Sequence, residues 1–252
     1  MRVPIRGVVF DLFDTLVDLR WENLPSEQTP QGRLPASTRA MYAEFAEFSD
    51  ASFEDFISAL VEGGRGFAES HFAHDREVST LERFTDLAQR LHVESPEVPE
   101  RLTQVHMGML RGQVETLDHH VEVLASLREE MKVGLCSNFS HSETALDVLD
   151  AGGLREHLDA VVISDAVGIR KPRREIFEET LRRLELTSRE VIHVGDSLRA
   201  DVAGAKACGI SAVWITRRVK DPEESLKQHA GADPDFVVAD LSELPGLIAR
   251  LS

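Results

Sequence analysis

The stretch VVFDLFDTLVD, residues 8–18, places a run of apolar residues directly before the carboxylate of Asp11. A short run of β-branched and aromatic residues predicts a buried strand, here over residues 7–13. Asp14 and Thr15 follow before the chain turns, and Phe13 stands where a second acid would suit the pattern. The sequence therefore predicts a hydrophobic strand that ends in a carboxylate, and it sets an aromatic side chain beside that carboxylate.

The same kind of strand recurs in the second half of the chain, where it alternates with amphipathic helices. Helical periodicity is found in VEVLASLREE (121–130) and EIFEETLRRLEL (175–186). Apolar strand-like runs occur in KVGLCS (132–137), LDAVVIS (158–164), EVIHVGDS (190–197), SAVWITR (211–217) and DFVVAD (235–240). This alternation predicts an α/β fold with a doubly wound parallel sheet that helices cover on both faces.

Residues 36–92 have a different pattern, because their apolar residues recur every three or four positions and predict helices only. The helical segments are ASTRAMYAEFAEF (36–48), FEDFISALVEGGRGFAESHF (53–72) and TLERFTDLAQRL (80–91). The proline-bearing segment ESPEVPE, residues 94–100, is interpreted as their end. We expect an inserted all-α domain over 17–95 and an α/β core formed by 1–16 and 96–252. Trp21 and Phe67 are interpreted as core residues, with contact to the substrate as the alternative.

Composition excludes several classes of function. The 252 residues have a formal net charge of −16, which repels nucleic acids and anionic membranes. No apolar run approaches the roughly 20 residues that a membrane helix needs, and the apolar run near the start is interpreted as a strand rather than a leader. The two cysteines, Cys136 and Cys208, are expected to be buried and reduced. We expect a cytoplasmic protein whose partner is a small molecule.

The ends of the predicted strands supply the candidate site, because reactive groups in a doubly wound sheet gather beyond the carboxyl ends of its strands. We expect these residues to share one crevice: Asp11, Phe13, Asp14, Thr15, Ser137, Asn138, Asp196, Ser197 and Asp201. Carboxylates brought together need a cation or a proton to offset their charge, and oxygen ligands without histidine or cysteine favour Mg²⁺. Lys171 adds a positive charge. A site of Mg²⁺, lysine and hydroxyl groups suits a phosphoryl group.

Four motifs in this order resemble those of the haloacid dehalogenase superfamily, whose members use an aspartate nucleophile. The first is the strand followed by Asp11-Leu12-Phe13-Asp14-Thr15, and the second is the strand that ends in Ser137. The third is Lys171 before a proline, and the fourth is Gly195-Asp196-Ser197 with Asp201. The resemblance covers nearly the whole chain. It implies a Rossmann-like core with a small α-helical cap between the first and second motifs, as in the superfamily's first subfamily.

The resemblance implies a role for each motif residue. Asp11 is the implied nucleophile, which forms an aspartyl-phosphate on a small phosphomonoester, and Lys171 pairs with it and with the phosphoryl oxygens. The implied ligands of Mg²⁺ are Asp11, Asp196 and the main-chain carbonyl of Phe13. Asp201 is implied to orient Lys171 or a metal-bound water. Ser197 is implied to lie next to the site without binding the substrate or the metal. Hydrogen bonds to the transferred group or to Asp11 are implied for Thr15, Ser137 and Asn138.

Phe13 departs from the family's phosphatase pattern, in which an aspartate at this position protonates the leaving oxygen and later activates water. Phenylalanine can do neither. Asp14 is the nearest acid, although a shift of one residue along a strand should point it elsewhere. Residues of the insertion are further candidates for proton transfer: His71, His74, Arg76 and Glu77.

Two other functions stay open on this sequence. An aromatic residue at the position of Phe13 also occurs in the superfamily's 2-haloacid dehalogenases, but Asp196 fits the phosphatases, because those dehalogenases need no Mg²⁺. A catalytically weak relative that binds phosphate or regulates another protein is the third possibility.

Other polar residues have structural interpretations. Ser197 and Thr187 are predicted helix N-caps. His119 and His120 are predicted to lie in a solvated turn.

Overall fold

The computed structural model describes residues 4–20, 23, 26–29, 32–35 and 37–251. The chain divides into two compact units, unit 1 with residues 1–18 and 115–252 and unit 2 with residues 19–114. These bounds differ from the predicted division at 17 and 95. The helix at 97–111 was assigned to the core, yet it packs on other helices of unit 2. Pro99 misled the interpretation because proline is tolerated in the first turn of a helix. Trp21 lies outside the described residues.

Unit 1 is built on a six-stranded sheet with the order β10-β9-β8-β1-β6-β7. All five pairings between neighbouring strands of this sheet are parallel. The strands of the sheet are β1 (Gly7–Phe10), β6 (Lys132–Ser137), β7 (Ala160–Ile163), β8 (Val191–Gly195), β9 (Ser211–Ile215) and β10 (Phe236–Val238). β1 lies in the middle, with Phe10 opposite Leu135 on one side and Val194 on the other. The predicted parallel sheet is confirmed.

Helices flank this sheet. They are α5 (Asp118–Glu130), α6 (Ser142–Ala151), α7 (Ser164–Val167), α8 (Arg174–Leu184), α9 (Gly204–Ala207), α10 (Pro222–Gln228) and α11 (Leu244–Ala249). A π-helical turn, Leu198–Ala203, precedes α9. A separate two-stranded sheet consists of β2 (Val17–Leu19) and β5 (Val114–Thr116). Among the described residues, no helix combines the length and the apolar character needed to cross a lipid bilayer.

The described residues of unit 2 form four α-helices, a 3-10 turn at Phe72–His74 and a hairpin. The helices are α1 (Ser37–Phe45), α2 (Phe53–Ser70), α3 (Thr80–Arg90) and α4 (Glu97–Arg111). Their shared core contains Phe45, Phe56, Phe84, Leu87 and Leu102. The antiparallel hairpin of β3 (Ser26–Thr29) and β4 (Gly32–Pro35) was not expected in an all-α insertion. These strands, SEQT and GRLP, have too few apolar residues for periodicity to reveal them.

β1 is shorter than predicted, since it ends at Phe10 rather than at residue 13. The chain turns back at once, because the carbonyl of Leu12 accepts hydrogen bonds from the main-chain N–H groups of Leu16 and Val17. Asp14 has a φ of 57°, in the left-handed region that aspartate tolerates better than most residues. The consequence is a tight loop directly after Asp11.

Three structural predictions have clear outcomes. Ser197 and Thr187 cap their helical turns, as predicted. The prediction of a solvated turn at His119 and His120 was wrong, because both lie in α5 and His120 is fully buried. Burial lowers the pKa of His120, with smaller contributions from neighbouring charges. Cys136 is buried, as expected, whereas Cys208 is only partly buried.

Candidate active site

The motif residues of unit 1 lie together at the carboxyl ends of its central strands. Asp11 follows β1 and donates its main-chain N–H to the carbonyl of Val194, 2.9 Å away. Ser137 ends β6, and Asp196 follows β8 directly. Parallel pairing in register brings these strand ends to one edge, which is why residues so distant in sequence meet.

Lys171 is the buried positive charge of this site, with only 2% of its surface exposed. Its ammonium nitrogen donates to Oδ1 of Asp11 at 2.6 Å and to Oδ1 of Asp201 at 2.6 Å. The main-chain carbonyl of Cys136, 2.7 Å away, is the third acceptor. Burial alone would lower the pKa of Lys171, but the two carboxylates raise it above its ordinary value. The side chain therefore stays charged, and all three of its N–H bonds have acceptors.

Asp201 positions this lysine. Besides Lys171, its carboxylate contacts Nε2 of His193 at 2.8 Å and accepts from the main-chain N–H of Ser197 at 3.0 Å. Burial alone would raise the pKa of Asp201, but Lys171 and His193 bring it well below its ordinary value. Asp201 is thus an ionised group whose lone pairs are already in use.

Asp11 and Asp196 have the opposite electrostatic character. Burial raises the pKa of Asp11 to about 6, even though Lys171 opposes the shift. Burial also raises the pKa of Asp196 to about 8, with further contributions from the charges of Asp11 and Asp201. Two such carboxylates ionise together only when a cation lies near them.

The donor set at this position fits Mg²⁺. Carboxylate oxygens of Asp11, Asp196 and Asp201 all lie within 4.8 Å of one another. Both oxygens of Asp201 already accept hydrogen bonds, Oδ1 from Lys171 and Oδ2 from the main-chain N–H of Ser197, whereas Lys171 binds only Oδ1 of Asp11. Asp11 and Asp196 are therefore the carboxylates left for a hard cation. The main-chain carbonyl of Asp196 accepts from the indole N–H of Trp214 at 2.7 Å, which orients this segment of chain.

Two hydroxyl groups of the site are buried without a hydrogen-bond partner among the residues that the structure describes. They are Oγ1 of Thr15 and Oγ of Ser137, and both side chains are almost fully inaccessible. A buried hydroxyl without a partner costs roughly 1–3 kcal/mol. A ligand with acceptor oxygens would remove that cost.

Asn138 has a role that the sequence interpretation did not assign. Its Oδ1 accepts from the main-chain N–H of Lys171 at 2.7 Å, and its Nδ2 donates to the carbonyl of Lys171 at 3.0 Å. The Asn138 amide thus fixes the main chain of Lys171 through two hydrogen bonds. A hydrogen bond from Asn138 to a transferred group stays a prediction.

Phe13 is half-buried and packs against Phe139. The two ring centroids are 4.7 Å apart and the rings are tilted by 45°. This contact makes an apolar surface where a proton-transferring acid was expected. Oδ1 of Asp14 lies 3.5 Å from Nε of Arg218, and the charge of Asp14 contributes to the raised pKa of Asp196.

The remaining candidates for proton transfer belong to unit 2. Glu77 is buried, and its carboxylate accepts from the main-chain N–H of Val78 at 3.1 Å. Nδ1 of His71 lies 2.8 Å from the hydroxyl of Ser70. A role in proton transfer stays a prediction for these two residues, as it does for His74 and Arg76.

Sequence reasoning missed three residues that shape the site, Phe139, His193 and Trp214, and it named Gly195 only as part of the fourth motif. Gly195 is required by close packing, because a Cβ there would lie 2.2 Å from Cγ of Asp201. His193 gave a usable signal, since it is the one polar residue inside the apolar strand VIHVG. Phe139 and Trp214 gave none, because aromatic residues beside strands are common in cores.

Comparisons with known proteins agree with this geometry. A pyrimidine 5′-nucleotidase from Escherichia coli strain K12 is 29% identical over 170 residues, which are 67% of this chain and 70% of that protein. A ribulose-1,5-bisphosphate 5-phosphatase from Halopiger xanaduensis is 27% identical over 254 residues, 96% of this chain and 99% of that protein.

The fold is also similar to that of a solved structure, a 2-haloacid dehalogenase from Pseudomonas syringae pv. Tomato. The TM-score is 0.73 at 24% identity, and the match covers 98% of this chain and 100% of the other. At that identity the similarity concerns the fold alone. The family model of haloacid dehalogenase-like hydrolases matches residues 5–209. The chain therefore belongs to the haloacid dehalogenase-like hydrolase family.

Proposed function

We propose that this hydrolase is a Mg²⁺-dependent phosphatase that acts on a small phosphomonoester through an aspartyl-phosphate on Asp11. One observation carries the proposal above the others. Lys171 is bonded to Asp11 at 2.6 Å while Asp196, the second carboxylate, has a pKa raised to about 8. The carboxylates of Asp11 and Asp196 together favour a divalent cation beside the nucleophile. The names of the two relatives, a nucleotidase and a phosphatase, support the same class of reaction.

In the proposed reaction, an oxygen of the Asp11 carboxylate attacks phosphorus while the bond between phosphorus and the leaving oxygen breaks. Lys171 fixes the position of that carboxylate through Oδ1 and contributes positive charge next to the phosphoryl group. The free hydroxyls of Thr15 and Ser137 donate hydrogen bonds to phosphoryl oxygens. Water then attacks phosphorus, releases inorganic phosphate and restores the Asp11 carboxylate.

Asp11, Asp196 and the carbonyl of Phe13 are the residues that would bind Mg²⁺. When bound, Mg²⁺ supplies charge that stabilises the negative phosphoryl oxygens. Asp201 stays bonded to Lys171 and keeps the ammonium group in place throughout.

The leaving oxygen requires a proton, which Phe13 cannot provide. The proton comes from water or from another acid, and the candidates remain Asp14, His71, His74, Arg76 and Glu77. General acid catalysis is typically worth about 10²–10⁴-fold in rate. The proposal therefore implies slow turnover of substrates with poor leaving groups.

The contact between Phe13 and Phe139 favours a second candidate, a 2-haloacid dehalogenase. Halide leaves carbon without a proton, so an apolar surface beside the nucleophile suits that reaction. Asp196 has no evident use there, because no divalent cation is required. This is why the phosphatase is preferred.

A substrate screen separates the candidates. The protein is assayed with a panel of phosphorylated metabolites, an aryl phosphate and 2-haloacids, each with Mg²⁺ and with excess chelator. The proposal predicts phosphate release that the chelator abolishes and no halide release. Halide release that the chelator does not affect would assign the dehalogenase. Binding of phosphate esters without turnover would point to the weak or regulatory relative instead.

A further inference from the structure

A second cluster of ionisable side chains lies in unit 1, away from the strand-end motifs. It consists of His119 and His120 at the start of α5 and of Asp240, which directly precedes the final helical segment, residues 241–249. One nitrogen or oxygen from each of the three side chains lies within 4.8 Å of the other two. None of these residues takes part in the proposed phosphatase chemistry.

The orientation of the His120 ring defines what the cluster can bind. Nδ1 lies 2.9 Å from the main-chain carbonyl of Leu16, an acceptor, so this nitrogen carries a proton. In the neutral ring, Nε2 is then an unprotonated acceptor. The side chain is fully buried, and Nε2 has no hydrogen-bond partner within the part of the chain that the structure describes.

Nε2 of His120 faces another acceptor. Oδ2 of Asp240 lies 3.6 Å away, too far for a normal hydrogen bond. A lone pair directed at a carboxylate oxygen is unfavourable unless a cation lies between them. The arrangement thus provides two ligand atoms in place, one nitrogen and one oxygen.

We propose that His119, His120 and Asp240 form a binding site for a divalent transition metal, with Zn²⁺ as the best fit. Zinc binds histidine nitrogen at about 2.0–2.1 Å and carboxylate oxygen at about 2.0–2.2 Å. Two such bonds to atoms 3.6 Å apart meet at an angle of roughly 120°, close to tetrahedral. Mixed imidazole and carboxylate ligands favour zinc over magnesium.

His119 completes the site. Its Nε2 lies 2.9 Å from Oδ1 of Asp240, and its side chain is 43% exposed. Its ligand atom lies within 4.8 Å of those of His120 and Asp240, and its contact with Oδ1 holds the Asp240 carboxylate in place. Its exposure gives the metal a route from solvent, and water fills the remaining position.

Arg217 is the cation already present near this site. Its Nε lies 3.6 Å from Oδ2 of Asp240, while both of its terminal nitrogens donate to the carboxylate of Asp18. The guanidinium group of Arg217 thus lies near Asp240, but its hydrogen bonds go to Asp18. The metal competes with one distant contact of Arg217 and leaves the ion pair with Asp18 intact.

The test is a titration of the full chain with Zn²⁺ against a chromophoric chelator, in saturating Mg²⁺ so that the strand-end carboxylates are occupied. The proposal predicts one equivalent of bound zinc. Asp240→Asn and His120→Asn should each weaken binding at least tenfold. Co²⁺ bound at the same site should show the visible absorption of a four-coordinate ion, which both variants lose.

Asp240→Asn keeps an oxygen that can cap the final helical segment, so it tests the site even if His120→Asn fails to fold. The matched control is the double variant His71→Ala and His74→Ala, which removes a histidine pair elsewhere and should leave binding unchanged. Asp11→Asn should also retain zinc, so failure of the phosphatase proposal would not affect this result. Absence of binding, or equal binding by Asp240→Asn, would overturn the proposal.

Discussion

Phe13 is the residue that most distinguishes this site from the phosphatase pattern it otherwise follows. The motif residues before and after Phe13 match the phosphatase pattern. Asp11 is bonded to Lys171, and Thr15 has a buried hydroxyl group. The ring of Phe13 packs on Phe139 rather than on the carboxylates. The loss thus affects proton transfer and spares the nucleophile.

Phe13→Asp should restore a proton donor next to the nucleophile. We expect faster hydrolysis of phosphate esters, by up to about 10²-fold, with the largest gain for alkyl leaving groups, which depend most on protonation. The side chain alone changes, so a metal ligand supplied by the main-chain carbonyl of residue 13 is kept. The measurement is kcat/KM for a leaving-group series at saturating Mg²⁺.

Phe13→Asn is the matched control, because asparagine has nearly the same shape as aspartate and is also polar but cannot donate a proton as an acid. It should lose the contact with Phe139 without gaining rate. If Phe13→Asp folds, binds Mg²⁺ and is slower than the parent on every ester, Phe13 serves this protein's own reaction and the proton comes from elsewhere.

At the scale of elements, β8 and the helical turn after it organise the site. β8 ends at Gly195, and Ser197 caps the helical turn that follows. Asp201 lies within that turn and accepts a hydrogen bond from Lys171. A π-helical turn at Leu198–Ala203 brings this about, and such turns are frequent at functional sites. The close approach of Asp201 to the end of β8 leaves no room for a side chain at position 195.

Gly195→Ala should therefore damage both stability and activity. The added Cβ would lie 2.2 Å from Cγ of Asp201, whose hydrogen bonds to Lys171, His193 and Ser197 resist displacement. Overpacking of this kind typically costs about 1–3 kcal/mol in free energy of unfolding. Urea denaturation measures that loss.

Gly108→Ala is the control for this substitution. Gly108 lies inside α4, and a Cβ there meets nothing within 4 Å. Alanine should raise the free energy of unfolding by roughly 0.5–1 kcal/mol, because glycine is a poor helix former. A Gly195→Ala protein as stable and as active as the parent would show that Asp201 need not lie where the structure has it.

Elements were predictable where periodicity reports burial. The runs around residues 132–137 and 191–195 are mostly apolar and almost wholly buried, and they form central strands. The hairpin at 26–35 carries too little apolar sequence to be seen. His119 and His120 were misplaced because a pair of adjacent polar residues resembles a turn, whereas one of them lies inside the core at the start of α5.

At the scale of the molecule, the parallel order of strands explains why so much of the site could be predicted. Strand ends meet at one edge whatever the loops do, so Asp11, Asp196 and Asp201 could be grouped from the sequence alone. Hydrogen-bond partners could not, because they depend on side-chain directions. That is why Asn138 was assigned to the substrate rather than to Lys171, and why His193 was missed.

The division into units was predicted only in outline for the same reason. The change from helical to alternating periodicity marks an insertion, but α4 has a periodicity that suits either unit. α4 packs on α1 and α3 and therefore belongs to unit 2. The sequence pattern of residues 97–111 does not indicate which helices α4 contacts. The role of unit 2 as a cap stays a prediction.

The central claim is that Asp11, assisted by Mg²⁺, carries out hydrolysis of a phosphomonoester. It is tested most directly by the rate of aryl phosphate hydrolysis for the parent protein and Asp11→Asn, each with Mg²⁺ and with excess chelator. We predict measurable turnover only for the parent with Mg²⁺, because asparagine keeps the shape of the side chain but removes the nucleophile. Turnover by Asp11→Asn equal to that of the parent, or full activity of the parent in chelator, would contradict the account.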